Sequence, residues 1–80
     1  MLTKEDLPDL ILEALKAKNR SASLIEVCKF IWKNHHRHLE TSGDLFFTWQ
    51  YDIRWAANKL RRTGKMKAAE LSQKGIWELS

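Results

Sequence analysis

Eighty residues, 44% of them apolar and four of them tryptophan, can close one small domain with a modest core and leave no room for a second. The lone cysteine, Cys28, excludes an internal disulfide, and no apolar run reaches the roughly 18 to 20 residues that a membrane-spanning helix requires. A formal net charge of +4 favours an anionic partner, and the charged opening MLTKEDLPD stands where a signal peptide would be apolar, so no membrane partner and a cytoplasmic setting are expected.

Lys4 to Lys18 read as a first helix. Leu7, Leu10, Ile11, Ala14 and Leu15 recur at spacings of three and four and line one face, with Glu5 and Asp6 near the positive end and Lys16 and Lys18 near the negative one. Pro8 fits only in the first turn, where its missing N–H costs little. Asn19 to Ala22 interrupt the pattern, and Ser23 with Glu26 forms a capping box that opens a second helix running to about Asn34. Leu24, Val27, Cys28 and Ile31 make its buried stripe, widened by Ile25 and Trp32 on one edge and Phe30 on the other. Ser21 to Ser23 leave room for a short extended piece.

His35 to Leu45 lacks apolar periodicity and reads as a loop with space for one helical turn. A third helix is expected from about Thr48 to Gly64, whose lack of a Cβ suits the left-handed position after a helix end. Beyond it the period changes. Lys65 to Ala69 alternates loosely, Glu70 to Lys74 is a polar connection of hairpin-loop length, and Ile76 to Leu79 form a short strand entered through Gly75. Three helices followed by a C-terminal β-hairpin predict an α+β winged helix-turn-helix spanning residues 1–80, with the third helix as the recognition helix and the hairpin as the wing. The expected core is Leu10, Ile11, Leu15, Val27, Ile31, Trp49, Ile53, Trp55, Ala56, Leu60 and Trp77.

The stretch FTWQYDIRWAANKLRR, residues 47–62, crowds four aromatic residues and three arginines into the third helix. Placing successive residues about 100° apart groups Trp49, Ile53, Ala56 and Leu60 in a narrow arc facing the other helices. Tyr51 and Trp55 fall on the far flank with Arg62, where the hairpin carrying Trp77 is the element left to cover them. Gln50, Arg54, Ala57, Asn58 and Arg61 remain for solvent, and this set suits a DNA-reading surface: Gln and Asn pair bidentately with adenine, and Arg reads guanine or clamps phosphate. Asp52 lies nearer the core edge, where a carboxylate favours the helix dipole. In the wing, Lys74 beside Gly75 and Lys67 are candidate phosphate contacts. For Lys65 and Lys67, keeping an edge strand from pairing with another chain is an equal explanation.

His35, His36 and His38 invite a metal reading together with Cys28. Adjacent histidines point apart on a helix, however, and no second cysteine or close carboxylate pair completes a tetrahedral set, so no metal and no cofactor are expected. The histidines instead suit a helix end or a backbone phosphate. Cys28 reads as a small buried hydrophobe, and Asp6, Asp9 and Glu13 as solubilising charges. No phosphate-binding loop or dinucleotide fingerprint is present, so a non-catalytic chain is expected.

The last third, IRWAANKLRRTGKMKAAELSQKGIWELS, resembles the end of the winged-helix domain found at the N-terminus of Mrr-type restriction endonucleases and related defence proteins. Trp55-Ala56, Leu60 and Gly64 carry the resemblance in the helix and its exit, and Lys74-Gly75-Ile76-Trp77 carry it into the last strand; the leucines of the first helix also fit. The sequence departs from that family at Lys65-Met66, where an apolar pair is common, and in the His-rich stretch from His35 to Gly43. The resemblance implies a double-stranded DNA-binding domain, the cutting in such proteins being done by a separate nuclease domain, with Gln50, Arg54, Asn58 and Arg61 meeting the duplex and Lys74 in the wing; a domain excised from a longer protein that carries a nuclease or another effector domain and a free-standing small protein both fit. Two alternatives stand beside it: a winged helix used for protein contact or homodimerisation, and a small transcriptional regulator. An exposed apolar patch of Tyr51, Trp55 and Trp32 would favour protein contact, and a continuous basic face from helix to wing would favour DNA.

Overall fold

In the computed structural model, which describes residues 1–80, the Thr3 amide donates to Asp6 Oδ2 at 2.8 Å and opens a 3-10 turn, Lys4–Asp6. Helix α1 (Leu7–Ala17) continues from it with Pro8 in the first turn, and Leu7, Leu10, Ile11, Ala14 and Leu15 are buried along one face. Asn19 and Arg20 then adopt left-handed backbone, φ 60° and 77°. Asn tolerates this region, whereas Arg enters it only where its surroundings hold it there. Here the Arg20 amide donates to the Leu15 carbonyl at 2.7 Å, its carbonyl accepts from the Leu79 amide at 2.9 Å, and its guanidinium donates to the Ser80 carbonyl. The reversal aims the chain into β1 (Ser21–Ser23).

Helix α2 (Leu24–Glu40) opens on the expected capping box: the Glu26 amide donates to Ser23 Oγ at 3.2 Å and the Ser23 amide to Glu26 Oε1 at 2.9 Å. The helix does not stop at Asn34. Val27, Ile31, His35 and Leu39 recur every fourth residue, and Val27, Ile31 and Leu39 are fully buried. His35 occupies the stripe position where an apolar residue would have announced the continuation, and its Nε2 lies 2.6 Å from Glu13 Oε1 on α1. Arg37 and His38 in the last turn complement the helix dipole, and Thr41 Oγ1 donates to the Arg37 and His38 carbonyls. The expected long loop shrinks to Thr41–Asp44, turned by Gly43 at φ 61°.

Helix α3 (Leu45–Arg62) accordingly starts three residues before Thr48, with Leu45 buried one turn ahead of Trp49. It packs chiefly on α1, and its Trp49, Ile53, Ala56 and Leu60 join Leu10, Ile11, Leu15, Val27, Ile31 and Trp77 in one buried cluster. Trp55 differs from expectation. It sits half-buried on the rim of the cluster, because the element over it is the N-terminal turn, with Lys4 Nζ 4.4 Å from the ring centroid, and not the C-terminal segment.

Gly64, at φ 79°, turns the chain out of α3, and the Lys65 and Met66 amides both donate to the Leu60 carbonyl. β2 (Ile76–Glu78) pairs antiparallel with β1 in the register Ser21↔Glu78, Ala22↔Trp77 and Ser23↔Ile76, which buries Ala22 and Trp77 on the same side. The expected hairpin is contracted: its first arm is a single bridge, Met66↔Leu79, closed by the Lys67 amide on the Glu78 carbonyl and the Ser80 amide on the Lys65 carbonyl. Met66 is buried and holds this arm to the core, but after Lys67 the chain bends into a 3-10 turn, Ala69–Leu71, and has no further backbone to offer β2. No helix is long and apolar enough to cross a membrane.

Candidate nucleic-acid interface

The 18 residues of α3 divide by helical angle into a buried arc and an open one. Ala57 belongs to the first: at 1% exposure it borders Leu24 and Trp77 and does not face solvent as its helical angle suggested. The open arc carries Phe47, Gln50, Tyr51, Arg54, Asn58 and Arg62, all exposed, with half-buried Arg61 at its edge. No carboxylate lies on it. Asp52 is on the opposite flank, where its Oδ2 accepts from Thr48 Oγ1 at 2.8 Å.

Of the side chains assigned to a duplex from the sequence, Gln50, Arg54 and Asn58 are free on this arc, while Arg61 is oriented by the C-terminal segment. Its Nε donates to the Lys67 carbonyl at 3.3 Å, and its guanidinium carbon stands 6.0 Å from the centroid of the Trp77 ring. Arg54, Asn58, Arg61, Gly75 and Trp77 line a hollow of about 330 Å³, which adjoins one of about 500 Å³ that Arg61 and Trp77 share with Glu70 and Lys74. The structure thus brings Arg54, Asn58, Arg61 and Lys74 to one trough between α3 and the loop ahead of β2. Glu70 is the one carboxylate in it. Lys74 is exposed and has no ion pair, whereas Lys67 Nζ is 3.5 Å from Glu78 Oε2, a partly exposed contact of at most about 1 kcal/mol.

The sequence assigned Tyr51 and Trp55 to a shared covered flank, and the structure separates them. Tyr51 is 81% exposed, and Phe47, one turn earlier, is 82% exposed. Trp55 is held between Lys4 and Lys59, whose Nζ atoms lie 4.4 and 5.5 Å from its centroid. Rings and arginines therefore share the open arc. The signal was available, because Phe47, Tyr51, Arg54 and Asn58 recur at i, i+4, i+7 and i+11, the spacing of one helix face.

A third hollow, about 480 Å³, lies between α2 and α3 and is lined by Leu24, Ile25, Cys28, Lys29, Trp32, Trp49, Gln50 and Arg54. Trp32, 42% exposed, stacks on Trp49 with ring planes within 6° and centroids 6.4 Å apart. Burial pushes the Cys28 thiol above its ordinary value, only partly offset by the positive charge of Arg54, which disfavours the thiolate that a nucleophile needs. The histidines do not converge: His35 meets Glu13, His36 Nδ1 is 3.0 Å from the Trp32 carbonyl, and no group of three or more His, Cys, Asp or Glu side chains is placed to hold a metal. No protein-family model, curated protein or solved structure matches this chain.

Proposed function

We propose that this chain is a non-catalytic module for double-stranded DNA, with a winged helix-turn-helix fold in which α3 enters the major groove and the loop carrying Lys74 rests on the backbone. The observation that carries the reading is the carboxylate-free open arc of α3 running through Arg54, Asn58 and Arg61 into the trough that ends at Lys74. Cations on such a surface gain affinity by releasing counterions from phosphates, and Gln50 and Asn58 supply side-chain amides that match adenine. Arg61, clasped by the Lys67 carbonyl, would link the reading helix to the wing. The resemblance to the N-terminal domains of Mrr-type restriction endonucleases points the same way and adds a cytoplasmic setting in which the module targets a nuclease or other effector; service as a small transcriptional regulator uses the same surface.

A different observation favours protein contact or homodimerisation: the α2–α3 hollow, with Ile25 62% exposed beside Trp32, is the kind of apolar surface that partner proteins cover. The two readings separate in a fluorescence anisotropy titration of a random duplex at two salt concentrations. DNA binding requires affinity that falls with salt, and a folded Arg54→Ala, Arg61→Ala double variant should bind more weakly with a log–log salt slope shallower by about 2. Absence of saturable binding at low salt from folded wild-type protein would reject the DNA module and leave protein contact.

A further inference from the structure

The centre of the open arc of α3 is aromatic at its N-terminal half. Phe47 touches only its neighbour Phe46 among the rings, edge-on with centroids 5.0 Å apart, and Tyr51 has no aromatic partner at all. Both are outside the core cluster, and both lie on the line that Arg54 and Asn58 continue. Two large rings kept more than four-fifths exposed on a carboxylate-free cationic face gain nothing in the free chain.

An intact major groove hides the faces of the bases in the stack and displays their edges. Adenine, guanine and cytosine present chiefly hydrogen-bonding groups there; the one methyl group on the groove floor is the C5-methyl of thymine. Side chains one helical turn apart have Cβ atoms about 5–6 Å apart, close to two steps of about 3.4 Å along a DNA strand. We propose that Phe47 and Tyr51 are specificity-determining residues that contact pyrimidine C5-methyl groups, in unmodified DNA those of thymine, at positions about two base pairs apart and beside the bases reached by Arg54 and Asn58. The inference rests on the DNA reading of α3 given above and makes the module a reader of thymine-containing steps.

The test compares an alternating A·T duplex with the same duplex built with deoxyuridine in place of thymidine. That exchange removes only the methyl groups and keeps base pairing and phosphate charge. Wild-type protein is expected to bind the thymine duplex more tightly, by about fourfold for each methyl group covered. Phe47→Ala and Tyr51→Ala should each remove part of that ratio, and the double variant should bring it to one without changing the salt slope. Equal, salt-dependent affinity of wild-type protein for the two duplexes would overturn the methyl reading while leaving the DNA module intact. Tighter binding to single-stranded oligonucleotides than to either duplex, with no dependence on the methyl group, would overturn it in favour of ring–base stacking. No binding to any of these DNAs would overturn it together with the DNA module.

Discussion

The inner and outer faces of α3 use the same kinds of residue to opposite ends. Inside, Trp49, Ile53, Ala56 and Leu60 are buried in the common cluster; outside, Phe47, Tyr51, Arg54, Asn58 and Arg62 are open to solvent. A large ring is therefore not a sufficient sign of core in so small a domain. What decides is whether another element exists to cover it: Trp49 has Trp32 stacked on it, Trp55 has a single turn of chain, and Tyr51 has nothing. The inner face is where stability resides, and the outer face is free to be selected for a ligand.

Substitutions across that divide should separate by size. Ile53→Ala removes a fully buried side chain at the centre of the inner face and is expected to cost about 2–5 kcal/mol in denaturant unfolding, a large share of the stability of an 80-residue domain. Trp55→Ala, on the rim, should cost less, about 1–2 kcal/mol, from half-buried area and the lost Lys4 contact. An effect as large as that of Ile53→Ala would place Trp55 in the core after all. Ser23→Ala, a control outside α3, should cost about 1 kcal/mol by leaving the Glu26 amide without its cap.

The same cap gives a pH signature. The Ser23 amide bonded to the Glu26 carboxylate, helped by the Ser23 hydroxyl, holds the Glu26 pKa below its ordinary value of 4.5. Because the folded-state pKa is depressed, its contribution is present above pH 4.5 and is lost as pH falls through the folded value. Glu26→Gln should flatten that acid limb in thermal melts across pH, and an unchanged limb would assign it to other carboxylates. The smallest stability effect belongs to the outer face: Phe47→Ala and Arg54→Ala should change unfolding free energy by no more than about 0.5 kcal/mol. A larger cost would mean that these side chains serve the fold.

Local patterns in the sequence are the part that carries through to the structure. The spacing of Leu7, Leu10, Ile11, Ala14 and Leu15 defines α1, and Ser23 with Glu26 marks the start of α2, because both features join residues only three or four positions apart. The far half of α2 is hidden where His35 stands for an apolar residue, since its partner Glu13 lies on another helix and leaves no local trace. The strand order is hidden for a related reason. Ser21–Ser23 and Ile76–Glu78 are too short to show alternation and pair across about two thirds of the chain, so the adjacent Lys65–Ala69 segment looks like the natural partner of the last strand. In the candidate site, Gln50, Arg54 and Asn58 were legible from helical angle alone, whereas the outward turn of Tyr51 and the burial of Ala57 depend on what covers each flank.

The most direct test of the central claim is an amide-resolved NMR titration of the labelled domain with a short duplex. The account expects salt-sensitive shifts concentrated on Gln50, Arg54, Asn58 and Arg61 of α3 and on Lys74–Gly75 ahead of β2. Shifts confined to Ile25–Trp32 on α2, or no shifts at low salt, would contradict it.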